Sequence, residues 1–257
     1  MEESISKINR PKKIRFEKSG YYFIGLVAIM FLGFWPTYFS KYFDGTANFN
    51  LYFHFHFMMA SLWIGLLIVQ PLLIKRKKLA VHKQIGKLSF IILPLFIISV
   101  ILLKHHQIGG AVKEGLGASL WLQLKDIIII SVMYTIAIVN KHNIQIHARA
   151  MIATGIVFIE PTLGRFIIIT VLPEPNFILG LGITVAIMYT LIISLIIIER
   201  KQTSGRWIFP LLLLLFMAFH YLIFNQVSFP IWDAFAEWFV KLPITCEPVF
   251  EFYTSVE

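Results

Sequence analysis

Long apolar runs without polar interruption govern what this chain can fold into. Stretches such as Ile127 to Ile130 and Leu211 to Leu215 show no alternation of apolar and polar residues. A strand crossing a bilayer would show that alternation, so in a membrane these runs have to be helical. Seven stretches, near 20–39, 51–74, 87–103, 118–140, 149–172, 177–198 and 206–226, approach the roughly 20 residues that cross a hydrocarbon core. With 58% of 257 residues apolar and 14% charged, a water-soluble domain is excluded. The expected fold is all-α: a polytopic membrane protein with seven transmembrane helices.

Orientation follows from the distribution of Lys and Arg. Lys7, Arg10, Lys12, Lys13, Arg15 and Lys18 precede the first span; Lys75, Arg76, Lys77, Lys78, Lys83 and Lys87 follow the second. Lys141 and Arg149 follow the fourth, and Arg200, Lys201 and Arg206 the sixth, which makes seventeen on one side. The other side holds four, Lys41, Lys104, Lys113 and Lys241, while Lys125 and Arg165 fall inside spans. This bias places the N-terminus inside. An odd number of spans then puts the C-terminus outside, with Asp233, Glu237, Glu247, Glu251 and Glu257. The net charge of +9 is thereby explained by anionic headgroups at the inner face, and no nucleic-acid partner is expected. The first span reads as an uncleaved anchor. The expected layout is a basic cytoplasmic tail over 1–19, a seven-helix domain over 20–226 and an extracytoplasmic segment over 227–257. In that last segment Ile231, Ala234, Phe235, Trp238 and Phe239 recur at helical spacing beside Asp233, Glu237 and Lys241, which predicts an amphipathic helix on the outer interface. Gly109, Gly110, Gly115 and Gly117 read as a flexible outer loop. The single cysteine, Cys246, excludes an internal disulfide, an iron–sulfur cluster and a cysteine-built zinc site.

Ionisable groups within spans are costly unless paired or facing an interior cavity, so their positions carry the functional signal. Lys125 and Asp126 sit roughly 10–12 Å from the outer end of span four, with Arg165 at similar depth on span five and Glu160 nearer the midplane. His56 on span two and His220 on span seven lie about 8 and 9 Å from their outer ends. These groups are expected to share an outer-half layer, with Asp126 and Arg165 as the preferred pair. They form either a structural salt-bridge layer or a cavity open to the outer side, in which His56 and His220 act as ligands or proton carriers and Lys125, Asp126 and Glu160 relay protons or ions. His56, Trp63 and Gln70, seven residues apart, form one stripe that should face inward. Pro161, directly after Glu160, deprives the carbonyl of Val157 of a donor and predicts a kink. At the inner face His82, His142 and His147 could hold a metal, although histidines among Lys and Arg are more often solvated or bound to lipid headgroups.

His56, Trp63, Gln70, His82 and Gly86, at these spacings, resemble the signature of a family of bacterial multi-pass membrane proteins known only as a domain of unknown function. A second block, His147-Ala-Arg149-Ala-Met151 followed by Arg165, is similar to that family's His-x-Arg-x-Met segment, but lacks the basic residue that usually follows the histidine. The resemblance covers residues 50–165 and implies a bacterial inner-membrane location without an activity. In layout the chain also resembles small transmembrane b-type cytochromes. That likeness implies haem b held by His56 and His220, or nearer the inner face by His82 and His147. Arg165 would serve a propionate, Trp63 and Gln70 would line the site, and the partner would be a membrane redox protein or a second copy. The leading expectation is therefore haem-b or quinone-linked electron transfer. The alternatives are a proton- or ion-coupled transporter of a small solute, a metal-dependent lipid-modifying enzyme, or a non-catalytic accessory subunit.

Overall fold

The computed structural model of the chain describes residues 15–112 and 115–245. Lys7, Arg10, Lys12, Lys13, Lys113, Cys246, Glu247, Glu251 and Glu257 lie outside the described residues. Among those described, every regular element is helical. Helix α1 (Ser19–Phe34) continues through a π-helical segment, Trp35–Phe39, and a final turn, Ser40–Phe43. There follow α2 (Leu51–Lys75), the short α3 (Leu79–Gly86), α4 (Ser89–Ile108) and α5 (Leu116–Val139). The next span is divided into α6 (Ile144–Ile156) and α7 (Ile159–Phe166), the latter running into a second π-helical segment, Ile167–Val171. Helices α8 (Phe177–Glu199), α9 (Ile208–Phe224) and α10 (Pro230–Val240) complete the chain.

Among the described residues six stretches are long and apolar enough to cross a membrane: Phe16–Phe43, Leu51–Lys75, Leu79–Ile108, Leu116–Val139, Ile144–Val171 and Phe177–Glu199. The chain is a multi-pass membrane protein. Ile208–Phe224 is apolar but shorter, at 17 residues. Asparagines mark three of the starts: Asn50, Asn143 and Asn176 each accept a backbone N–H from the first turn of α2, α6 and α8. The third span is longer than its apolar run, because α4 continues to Ile108 and carries Lys104, His105 and His106 inside the helix. Gly109, at φ 67°, closes it in the left-handed conformation. Gly117 is not part of the outer loop; it lies in the first turn of α5, where Trp232 Nε1 donates to its carbonyl at 3.1 Å.

The divided span is the hub of the bundle. It packs against α1, α2, α5, α8 and α9. In its most apolar stretch 56% of residues are buried, against 22–28% in the other five spans. Ala150 and Ala153 are fully buried, their small side chains admitting neighbouring helices. The break at Val157–Phe158 falls one turn before Pro161, where the missing proline N–H was expected to kink the helix. Just beyond the break the Thr162 hydroxyl donates to the carbonyls of Phe158 (2.7 Å) and Ile159 (3.0 Å).

Helix α10 forms as expected, and one face of it packs on the bundle. Trp232, Ala236 and Val240, at i, i+4 and i+8, are buried, and Trp232 stacks on Trp121 with ring centroids 4.0 Å apart. Of the apolar residues at helical spacing, Phe239 packs inward, while Ile231, Ala234, Phe235 and Trp238 are exposed. The stacking partner on α5 decides the rotation, which α10's own sequence does not encode. The polar stripe survives as an i, i+4 contact of 3.9 Å between Glu237 and Lys241.

α1 meets α7 at Gly33, where a Cβ would collide with the backbone carbonyl of Thr162. Gly25 on the same helix faces open space. Gly33→Leu is therefore expected to cost about 1–3 kcal/mol or more by overpacking, read as a lowered unfolding temperature in detergent. Gly25→Leu should leave that temperature unchanged.

Candidate functional site

Enclosure of the divided span lets it carry a carboxylate at membrane depth. Glu160, in the first turn of α7, is 4% exposed. Its Oε1 lies 2.9 Å from Lys125 Nζ on α5, and its Oε2 lies 2.9 Å from His220 Nε2 on α9. Lys125 is fully buried, and its ammonium also meets Asp126 Oδ1 at 2.5 Å and the face of Phe216 at 5.2 Å from the ring centroid. Phe216, one turn before His220, stacks on the imidazole at 5.7 Å and 16°. The second ring nitrogen of His220, Nδ1, lies 2.8 Å from the hydroxyl of Tyr189 on α8.

These contacts form one chain: Asp126, Lys125, Glu160, His220, Tyr189. A carboxylate only accepts, so the proton between His220 and Glu160 is assigned to Nε2. With neutral imidazole, Nδ1 then accepts from the Tyr189 hydroxyl. Both ends of the chain are more open than its middle: Asp126 is 25% exposed and Tyr189 half-buried, while Lys125, Glu160 and His220 are buried. Such a linear network can hold a proton at its imidazole or carboxylates and pass it between neighbours.

The expected outer-half layer is thus divided. Lys125, Asp126, Glu160 and His220 come together, whereas Asp126 and Arg165 do not pair. Arg165 instead donates through Nη1 to Thr37 Oγ1 at 3.2 Å and lies over the ring of Phe34 at 4.7 Å. Helical rotation explains this, since five residues separate Arg165 from Glu160 and set them about 140° apart around the axis. His56 is also outside the cluster; its Nδ1 meets Ser99 Oγ at 3.1 Å and its ring stacks on Phe96 at 5.6 Å.

The α2 stripe faces inward as expected, with a different partner at each step. Trp63 is fully buried and meets Tyr134 edge-on at 5.6 Å. Gln70, its amide oriented by the hydrogen-bond network, accepts from Gly86 N at 2.9 Å and donates to the His82 carbonyl at 3.2 Å. His147 donates from Nδ1 to the Ala137 carbonyl at 2.9 Å, and His142 is exposed. Among the described residues no three His, Cys, Asp or Glu side chains are grouped as a metal site requires. In comparisons with protein families, curated proteins and solved structures, nothing matches this chain.

The distribution of basic residues assigns Arg149 to the loop after the fourth span. It is instead inside α6 and fully buried, its guanidinium donating through Nε and Nη2 to Glu199 Oε2 at the end of α8 and through Nη1 to Gln145 Oε1 at 2.8 Å. Glu199 was not singled out; its signal was an acid closing an apolar run of α8 just before Arg200 and Lys201. Tyr189 and Ser99 were also missed, because a hydroxyl inside a span costs too little to stand out. Arg149→Met should destabilise the protein by about 3–5 kcal/mol by stranding a buried carboxylate. Arg149→Met combined with Glu199→Leu should recover most of the loss, measured as unfolding temperature in detergent.

Proposed function

We propose that this protein is a proton-coupled transporter of a small solute, with the buried chain as its proton relay. The observation that carries this reading is the continuous path from Asp126 through Lys125, Glu160 and His220 to Tyr189, contributed by four helices. A merely structural ion pair needs neither an imidazole nor a tyrosine in series with it. The divided span adds a hinge: Glu160 lies between the break at Val157–Phe158 and the π-helical segment Ile167–Val171, irregularities that recur where membrane helices move or bind.

In this reading α9 is the seventh span. Its 17 residues rise about 25 Å, a shortfall that local thinning of the bilayer accommodates. The N-terminus is inside and the C-terminus outside, with α10 on the outer interface of a bacterial inner membrane. Removing Arg149 from the inside census leaves sixteen basic residues against four, which supports the same orientation. Haem-b or quinone-linked electron transfer ranks second. To ligate iron, His220 would have to release Glu160 or Tyr189, and His56 lies with Ser99 rather than opposite it. A metal-dependent lipid enzyme ranks lower, because His82, His142 and His147 do not form a three-ligand group.

The test is proton flux into proteoliposomes under an imposed potential, with a pH-sensitive dye inside and a panel of amino acids, sugars and organic acids outside. Wild-type protein should acidify the lumen in the presence of its solute. Glu160→Gln should reduce the flux to that of empty liposomes, and Tyr189→Phe should slow it without changing the unfolding temperature. Flux that is absent from wild type across the panel, or untouched by Glu160→Gln, overturns the proposal.

A further inference from the structure

We propose that Arg165 and Thr37 form a site for a phosphate group between α1 and α7, apart from the proton relay. The guanidinium carries five N–H donors. One meets Thr37 Oγ1 at 3.2 Å, and the plane lies over Phe34. Among the described residues no carboxylate comes within ion-pair distance of Arg165. Both fully buried cations of the bundle do have such partners, Lys125 in Asp126 and Glu160, and Arg149 in Glu199. A guanidinium within a membrane-spanning stretch is costly without a counter-charge, so Arg165, left without a carboxylate, calls for an anion from outside the chain.

The surroundings present this group instead of sealing it in. Arg165 is half-buried, whereas Lys125 and Arg149 are fully buried. α1 and α7 approach closely at Gly33, beside Thr162 and Phe166, and beyond that contact both helices depart from α geometry. Trp35–Phe39 is π-helical on one side and Ile167–Val171 on the other, so Thr37 lies within one irregularity and Arg165 two residues before the other, features of the kind that accompany functional sites. Lys41, one turn beyond Thr37, adds a second cation on the way to the membrane surface; its contact with Asp44 is long, at 4.0 Å, and exposed. Arg165 lies about 9 Å or less from the end of its span, within reach of a headgroup. A planar fork with adjacent donors matches two oxygens of a phosphate. The phosphate comes either from a phospholipid of that leaflet or from a free phosphate-bearing anion.

Native mass spectrometry of the detergent-purified protein separates these sources, using added phosphatidylglycerol in one arm and phosphatidylcholine in a second. In a third arm the unfolding temperature is followed with inorganic phosphate. Arg165→Gln is expected to lower occupancy by about tenfold in whichever arm reports binding, as for loss of a charge-assisted bidentate contact, while Arg165→Lys retains part of it. Loss in a lipid arm identifies a headgroup site, and loss only with inorganic phosphate identifies a free anion. Equal binding by wild type and Arg165→Gln in every arm overturns the proposal. Should Arg165→Gln fail to fold, a phosphatidylglycerol carrying a photoreactive headgroup is applied to the wild-type protein. Adducts within 34–41 or 162–171 support the site, and adducts confined elsewhere overturn it.

Discussion

Lipid cannot hydrate a charge, so this chain can carry Arg149 and Glu160 in one span only because other helices enclose that span. The enclosure follows from packing: α1, α2, α5, α8 and α9 surround the divided helix, and alanines and glycines at the contacts bring the backbones close. The polar residues of the site are then supplied by the faces turned toward this hub. Lys125 on α5, His220 on α9 and Tyr189 on α8 all reach Glu160 directly or through one neighbour. The location of the candidate site is thus a consequence of which helix sits in the middle.

The hub carries two ion clusters of different character, roughly 16 Å apart along its axis. Arg149 with Glu199 pairs a permanently charged guanidinium with one carboxylate, and nothing in it can exchange a proton without stranding a buried charge. Glu160 is bound to both a lysine and a histidine, with a tyrosine behind the histidine. The break at Val157–Phe158 separates the two. One half of the span is pinned to α8 by a fixed pair, and the half beyond the break bears the carboxylate that joins Lys125 to His220.

The parts of this arrangement that depend on length and spacing were legible in the sequence. Apolar runs located the six long apolar helices, the seven-residue spacing of His56, Trp63 and Gln70 identified an inward stripe, and Pro161 marked the break. Choices that depend on helix rotation against a neighbour were not. Lys125 and Asp126 are adjacent, and hydropathy cannot say which of them turns toward Glu160. Arg165 matched Asp126 in depth but projects from another side of its helix, so depth alone paired the wrong residues. Arg149 looked like one more basic loop residue because its partner, Glu199, lies fifty positions away in sequence. The rotation of α10 was hidden for the same reason, being fixed by Trp121 on α5.

Charge balance within the relay gives the proposed coupling a physical basis. Lys125 contributes one positive charge and Asp126 and Glu160 two negative ones, so with neutral His220 the cluster carries one net negative charge. A single proton on the imidazole or on either carboxyl brings it to neutrality, the state that burial favours. If the proton goes to Glu160, its attraction to Lys125 is replaced by the weaker hold of a neutral acid, and Lys125 keeps Asp126 as its partner. The tie between α5 and the segment beyond the break then loosens, while Arg149 and Glu199 continue to hold the segment before it. Proton binding would in this way act on one half of a hinged helix, which is what a transporter needs if protonation is to change the side of the membrane to which its site opens.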